Sequence, residues 1–208
     1  MTTTTRNRRR LTPAVGVACL AVLLSACQNV WGVRESYRNY IAGPVANGEL
    51  VASNGANHPE GGSGSGGGAF TWKLRSSTFD AATTTGTVQL EGTVETRGHH
   101  KTGDVWILDA TFSNPRLVIN GSTGTFYVDV TFRPYQGINP NPVPAKQTVN
   151  DLAFATVDLS GVDWTPNEDG RRTISNAPMV GIPAAMQLIG WDLFYGNPVT
   201  LDPLSVTF

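Results

Sequence analysis

The residues of this 208-residue chain whose types and spacing could do chemistry lie in three short stretches. In Trp31 to Tyr40 (WGVRESYRNY), Ser36 and Tyr40 stand four residues apart. On a helix that spacing puts both on one face, with Cβ atoms about 6 Å apart, so both can point into one cleft. A tyrosine so placed either finishes an amphipathic helix as a boundary aromatic or is presented to a ligand. The second stretch, RGHHKTGD, holds His99 and His100, and its polar composition reads most simply as a solvated turn. The third is Leu24-Ser25-Ala26-Cys27, which matches a bacterial lipobox, where cleavage leaves a new N-terminal cysteine to be acylated.

The surroundings of Cys27 fit that reading. Arg6, Arg8, Arg9 and Arg10 precede an apolar or small-residue run from Ala14 to Ala26. Such a run is too short to span a bilayer, which needs roughly twenty residues, and a basic stretch followed by an apolar one is a signal-peptide layout. Residues 1–26 are therefore expected to be a lipoprotein-type signal peptide, with residues 27–208 a single exported domain held to the outer face of the cytoplasmic membrane by lipid, or secreted. Removing the four leader arginines from the 15 Lys+Arg leaves 11 against 16 Asp+Glu, or about −5. That charge, with no basic cluster interleaved with aromatics, argues against nucleic acid as a partner. Cys19 and Cys27 are the only cysteines, so the mature domain has no disulfide. A domain of this length can bury enough surface to stand without one.

Catalytic signatures are missing. The chain has no HExxH, no GxSxG, no mature cysteine nucleophile and no phosphate-binding or dinucleotide glycine motif, so the expectation is that it is not an enzyme.

The elements that must position these groups read as mostly β. Thr87 to Glu95, Val105 to Phe112, Thr125 to Phe132 and Asp151 to Leu159 alternate or enrich β-branched and aromatic residues between Gly, Asn, Pro or Asp punctuation. A shorter apolar stretch, Arg116 to Ile119, ends at Asn120-Gly121, which favours a hairpin turn. Helical spacing marks Val30 to Ile41, stopped by Gly43-Pro44, and Pro183 to Phe194, interrupted by Gly190. Gly61 to Gly68 and Pro134 to Pro144 read as loops, and His58 beside the glycine run as an exposed loop residue. The expected fold is an all-β, two-sheet antiparallel sandwich with two short helices.

WGVRESYRNYIAGP, Gly98-His99 leading into VWILDATFSNPRLVI, the GTFYVDV strand and the closing FYGNPVTLDPLSVTF together resemble the HtaA-type heme-binding domain of heme-uptake proteins on Gram-positive cell surfaces. The likeness runs over nearly the whole mature chain. It implies ferric heme b as the ligand, with Tyr40 as axial ligand, Ser36 one turn earlier, His99 hydrogen-bonded to the tyrosine and Phe194 or Tyr195 packed on the porphyrin. It also implies transfer of heme to a transporter or to other heme-binding surface proteins. These roles suit the chemistry. Ferric iron favours a phenolate, an unperturbed phenol has a pKa near 10, and the metal's charge with a neighbouring imidazole supplies the help needed at neutral pH. With Cys27 only a few residues before the ligand helix, the heme mouth is expected to lie near the lipid surface. Arg34, Arg38 and Lys101 are nearby cations, expected by default at the surface. The competing reading is a surface lipoprotein that binds polysaccharide or protein through an aromatic face built from Trp31, Trp72, Trp106, Trp164 and Trp191.

Overall fold

A computed structural model describes residues 29–58 and 67–208; the leader, Cys27 and most of the glycine run lie outside the described residues. The chain opens on a three-residue strand, β1 (Asn29–Trp31), then helix α1 (Glu35–Ala42) and strands β2 (Glu49–Ser53) and β3 (Ala56–Asn57). Five longer strands follow: β4 (Phe70–Asp80), β5 (Thr85–Glu91), β6 (Thr93–His100), β7 (Trp106–Asn120) and β8 (Thr123–Phe132). After a long loop come β9 (Gln147–Asp158), β10 (Thr173–Gly181), the short helices α2 (Pro183–Leu188) and α3 (Asp192–Tyr195), and β11 (Thr200–Thr207).

The strands close on themselves. Pairing runs β7-β5-β4-β1-β11-β10-β9-β8, and β8 returns to β7, making an eight-stranded antiparallel barrel in place of the expected sandwich. Inward/outward alternation is identical in the two architectures, so periodicity could not separate them. What closes the sheet is long strands that bend at irregularities, as at Ser113/Arg116 in β7 and Leu74/Ser76 in β4. The two apolar stretches expected on either side of Asn114-Pro115 are one strand, β7. Its first half pairs with β6 and its second half with β5, and it turns at Asn120 into β8. Opposite that bulge, Gly92 takes φ +147° between β5 and β6, a conformation closed to other residues, and accepts a hydrogen bond from Asn114 N–H at 3.0 Å. β6 with β2 thereby peels off the barrel as a flap.

Trp31 fills the barrel, fully buried, with ring centroids 4.6 Å from Phe126 and 5.8 Å from Phe154. Trp72 and Trp191 are also buried, which removes three of the five tryptophans from any exposed aromatic face. His58 is buried as well, against Phe70 at 4.8 Å, and is not the exposed loop residue expected. Met179 and Met186 are core, as their apolar settings imply.

Helix bounds differ from the periodic reading. Val30, the first residue of the expected helix, is in β1, paired with Thr71 and Ser205, because strand pairing outweighs a weak local pattern. The C-terminal helix is two, α2 and α3, parted at Gly190. β1 runs toward the end of the barrel that carries α1, while Cys27, on which the expected nearness of site and membrane rests, lies outside the described residues. Thr207 N–H donates to Asn29 Oδ1 at 3.0 Å, whereas Arg34, beyond β1, donates to Thr200 O at the opposite end of β11. The chain thus enters β1 from the end of β11 remote from α1.

Candidate functional site

At the helix-bearing end of the barrel, a cleft of about 450 Å³ lies between α1 and the α2–α3 pair, within the range of small-molecule sites, roughly 300–1,000 Å³. Its floor is barrel interior, including Phe112, Val130 and Trp191; Ser36, Tyr37 and Tyr40 come from α1 and Phe194 and Tyr195 from α3.

Two contacts set α1 over the cleft. At its start, Asp202 of β11 accepts a hydrogen bond from Glu35 N–H at 2.7 Å and forms an ion pair with Arg38, which is 4% exposed. Arg34, at the N-cap, makes no side-chain cap bond, so Asp202 does that job from across the fold. Arg38 is therefore a buried structural cation and not a surface candidate for the ligand. Near the helix end, Ile41 lies against Gly98, where an added Cβ would come within 3.0 Å of Ile41 Cδ1 and 3.2 Å of Ala46 Cβ. Gly98 is what lets α1 sit on β6.

That seating brings Tyr40 to His99. Tyr40 Oη and His99 Nε2 are 2.7 Å apart, a close charge-capable hydrogen bond. His99 takes φ +53° and is held by its own N–H donating to Ala46 O at 2.8 Å. His100 points elsewhere, packing on Trp106 with centroids 4.7 Å apart and meeting Gly103 O at 2.5 Å. Tyr40 is 39% exposed. Partial burial and the neighbouring Tyr135 hold its hydroxyl above the ordinary tyrosine pKa, so the free protein presents a neutral phenol hydrogen-bonded to the imidazole. Tyr37, the other tyrosine of α1, is buried and bonded to Thr96 Oγ1 at 2.8 Å; burial raises its pKa strongly, and it packs on Trp191 at 4.9 Å.

Ser36 and Tyr195 meet at one edge of the cleft. Arg34 lies 4.2 Å over the Tyr195 ring and donates from Nε to Ser36 Oγ at 2.8 Å. Burial raises the Tyr195 pKa, while the Arg34 charge and Ser36 pull it down. Phe194, 55% exposed, stands at the cleft mouth with Tyr135 edge-on at 5.0 Å. Lys101 is drawn off to Pro140 O at 3.1 Å.

All five residues expected at the site are thus brought to this end, with Cys27 outside the described residues. Sequence reasoning missed Tyr135, in a Pro-rich loop without periodicity, and the role of Asp202, although LDPLS is a conspicuous part of the C-terminal motif. Among the described residues no group of three His, Cys, Asp or Glu side chains is placed to hold a metal ion directly. A single phenol backed by an imidazole beside an apolar cleft fits an iron that brings its own equatorial ligands, as a ferric porphyrin does.

A family model described as Htaa matches residues 26–207. Among solved structures, the N-terminal domain of HtaA from Corynebacterium glutamicum superposes with a TM-score of 0.70 at 29% identity, over 87% of this chain and 96% of that one. The heme binding protein HtaB from the same organism gives 0.68 at 25% identity, over 86% and 90%. The C-terminal domain of HtaA, at 24% identity and a TM-score of 0.65 over 86% and 93%, bears on the fold. No curated protein matches.

Proposed function

The chain belongs to the HtaA family, and from that premise we propose that it is a non-enzymatic extracytoplasmic protein that binds ferric heme b in the cleft and passes it to a transporter or another heme-binding surface protein. Tyr40 is the axial ligand, His99 orients its oxygen, Ser36 and Tyr195 with Arg34 behind them meet the propionates, and Phe194 covers the ring. The observation that carries the reading is the 2.7 Å contact between Tyr40 Oη and His99 Nε2 at the edge of an apolar cleft. The structural neighbour described as a heme binding protein supports it.

The residues do distinct work. Tyr40 must lose its proton to bind iron well, and an imidazole N–H donated to the resulting phenolate would orient its oxygen toward the cleft. The same imidazole can deliver a proton back, which weakens the oxygen as a ligand and favours release. The apolar floor keeps water from the metal-facing side of the phenol. The lipid anchor at Cys27 and export are part of this proposal.

Adding hemin to the purified domain tests it. A Soret band with the charge-transfer feature of tyrosinate-bound ferric heme is expected, and Tyr40→Phe should abolish that feature. An unchanged spectrum and affinity in Tyr40→Phe would remove Tyr40 from the iron.

A further inference from the structure

Between the buried side chains of Trp191 and Val199, residues 192–198 bury none of their own. The segment carries α3, with Leu193 72% exposed, and leaves that helix through Gly196 at φ +74°, where an added Cβ would meet nothing within 4 Å. So few buried contacts mark a stretch that can open apart from the rest of the fold. Cavities border it twice, through different residues. Phe194 and Tyr195 line the cleft, while Asp192, Gly196 and Asn197 line a separate hollow of about 220 Å³ against Met186 and Gln187 of α2.

Two ring contacts tie the segment to the other sides of the cleft. Arg34 lies 4.2 Å over the Tyr195 ring, and Phe194 meets Tyr135 edge-on at 5.0 Å. Tyr135 is the fixed member of its pair, because it stands two residues past Arg133, whose N–H donates to Asp109 O at 2.8 Å and whose side chain donates to Trp106 O and Pro144 O. At the far end of the same loop Lys146 Nζ is 2.7 Å from Asp109 Oδ2, which also lies 3.6 Å from Arg133. Asp109, 4% exposed, thus ties down both ends of the loop. A planar ligand between two rings needs about 3.5–4.0 Å on each of its faces. At 5.0 Å, Phe194 and Tyr135 leave no such layer.

We propose that residues 192–198 are a lid, latched by Tyr135 against Phe194, that swings toward the hollow beside α2 to let heme in or out and returns with Phe194 over the ring. The proposal rests on the heme-binding reading above. Entry and exit of the ligand then share one opening step, so the lid sets both rates.

Gln187→Trp, at an exposed α2 position outside the cleft lining, fills the hollow and removes the room the lid needs. With the mature protein in stopped flow, hemin association and its release to excess apomyoglobin are both expected to slow by about threefold or more and by the same factor. Unchanged association in a folded Gln187→Trp overturns the lid. Amide hydrogen exchange of the ligand-free protein decides the same point without heme. The Phe194 and Tyr195 amides, bonded to Trp191 O at 3.1 and 3.0 Å, should exchange far faster than those of β7. Tyr135→Ala should speed them a further two- to tenfold or so, about the worth of one edge-on aromatic pair, and Tyr135→Phe should not. Exchange as slow as in β7, or no response to Tyr135→Ala, overturns the latch. If hemin does not bind at all, the heme reading falls and the exchange rates still decide the lid.

Discussion

Replacing Asp202 by alanine tests whether α1 is held over the cleft by a residue from the last strand. The carboxylate makes two contacts at once, capping Glu35 N–H at 2.7 Å and pairing with Arg38. Arg38 is 4% exposed and Asp202 16%, so the guanidinium cannot find water in place of its carboxylate without disturbing the helix. Removing one partner of a buried ion pair costs about 3–5 kcal/mol. Losing a helix cap costs about 1 kcal/mol, and because one carboxylate serves both, the two losses do not fully add. A total near 3–4 kcal/mol is a large part of the roughly 5–15 kcal/mol that holds a domain folded. With a urea slope of about 2 kcal/mol/M, the midpoint should fall by about 1.5–2 M. Asp202→Asn, which keeps an acceptor for Glu35 but not the charge, should lie between wild type and Asp202→Ala. Arg38→Met combined with Asp202→Asn should be less damaging than the two single changes summed, because neither charge is then left buried alone. An unchanged midpoint in Asp202→Ala, or strict additivity in the double variant, would refute the clamp.

Gly98→Ala should cost about 1–3 kcal/mol by overpacking Ile41 and Ala46, read from thermal unfolding, and should weaken hemin binding by lifting Tyr40 from His99. His99→Asn, which tolerates the left-handed backbone at that position, should weaken hemin binding about 10–100-fold and shift the charge-transfer band while leaving the melting curve nearly unmoved. Hemin affinity should fall as pH is lowered, by up to about tenfold per pH unit, since a phenol with a raised pKa must give up a proton to bind; a flat titration between pH 8 and 6 counts against a tyrosinate ligand. Stability should fall in alkali. Tyr37 and Tyr195 have folded pKa values raised by burial, so their contribution is complete below the unfolded value near 10 and is lost as pH rises beyond it. Circular dichroism from pH 9 to 12 should show that loss beginning above about pH 10, with Tyr37→Phe delaying it.

The proposed site residues were legible only through the resemblance to the HtaA family: spacing showed that Ser36 and Tyr40 share a helical face, but not that Gly98 and His99 of β6 would meet that helix. β7 and β8 were visible in their alternation. β4 was not, because beyond Trp72 it leaves the core and its residues are mostly exposed or half-buried, which erases the period. Barrel closure is a property of strand length and bend that no single strand displays. The start of α1 was read too early because Val30 and Val33 fit a helical spacing, whereas pairing with β4 and β11 fixes Val30 in a strand and Val33 takes φ +68°. Tyr135 and Asp202 become site residues only through contacts across most of the chain, and spacing carries no trace of those.

Among the described residues β1 pairs only with β4 and β11, so the barrel seam waits for β11, Thr200–Thr207. Until it arrives, α1 lacks its clamp and Tyr195 has no fixed place beside Ser36. A nascent chain therefore carries the two sides of the cleft but no cleft, and with so many pairings between distant segments its assembly is expected to be slow. Formation of the cleft becomes the last event of folding, so a ligand can be held only after β11 has paired.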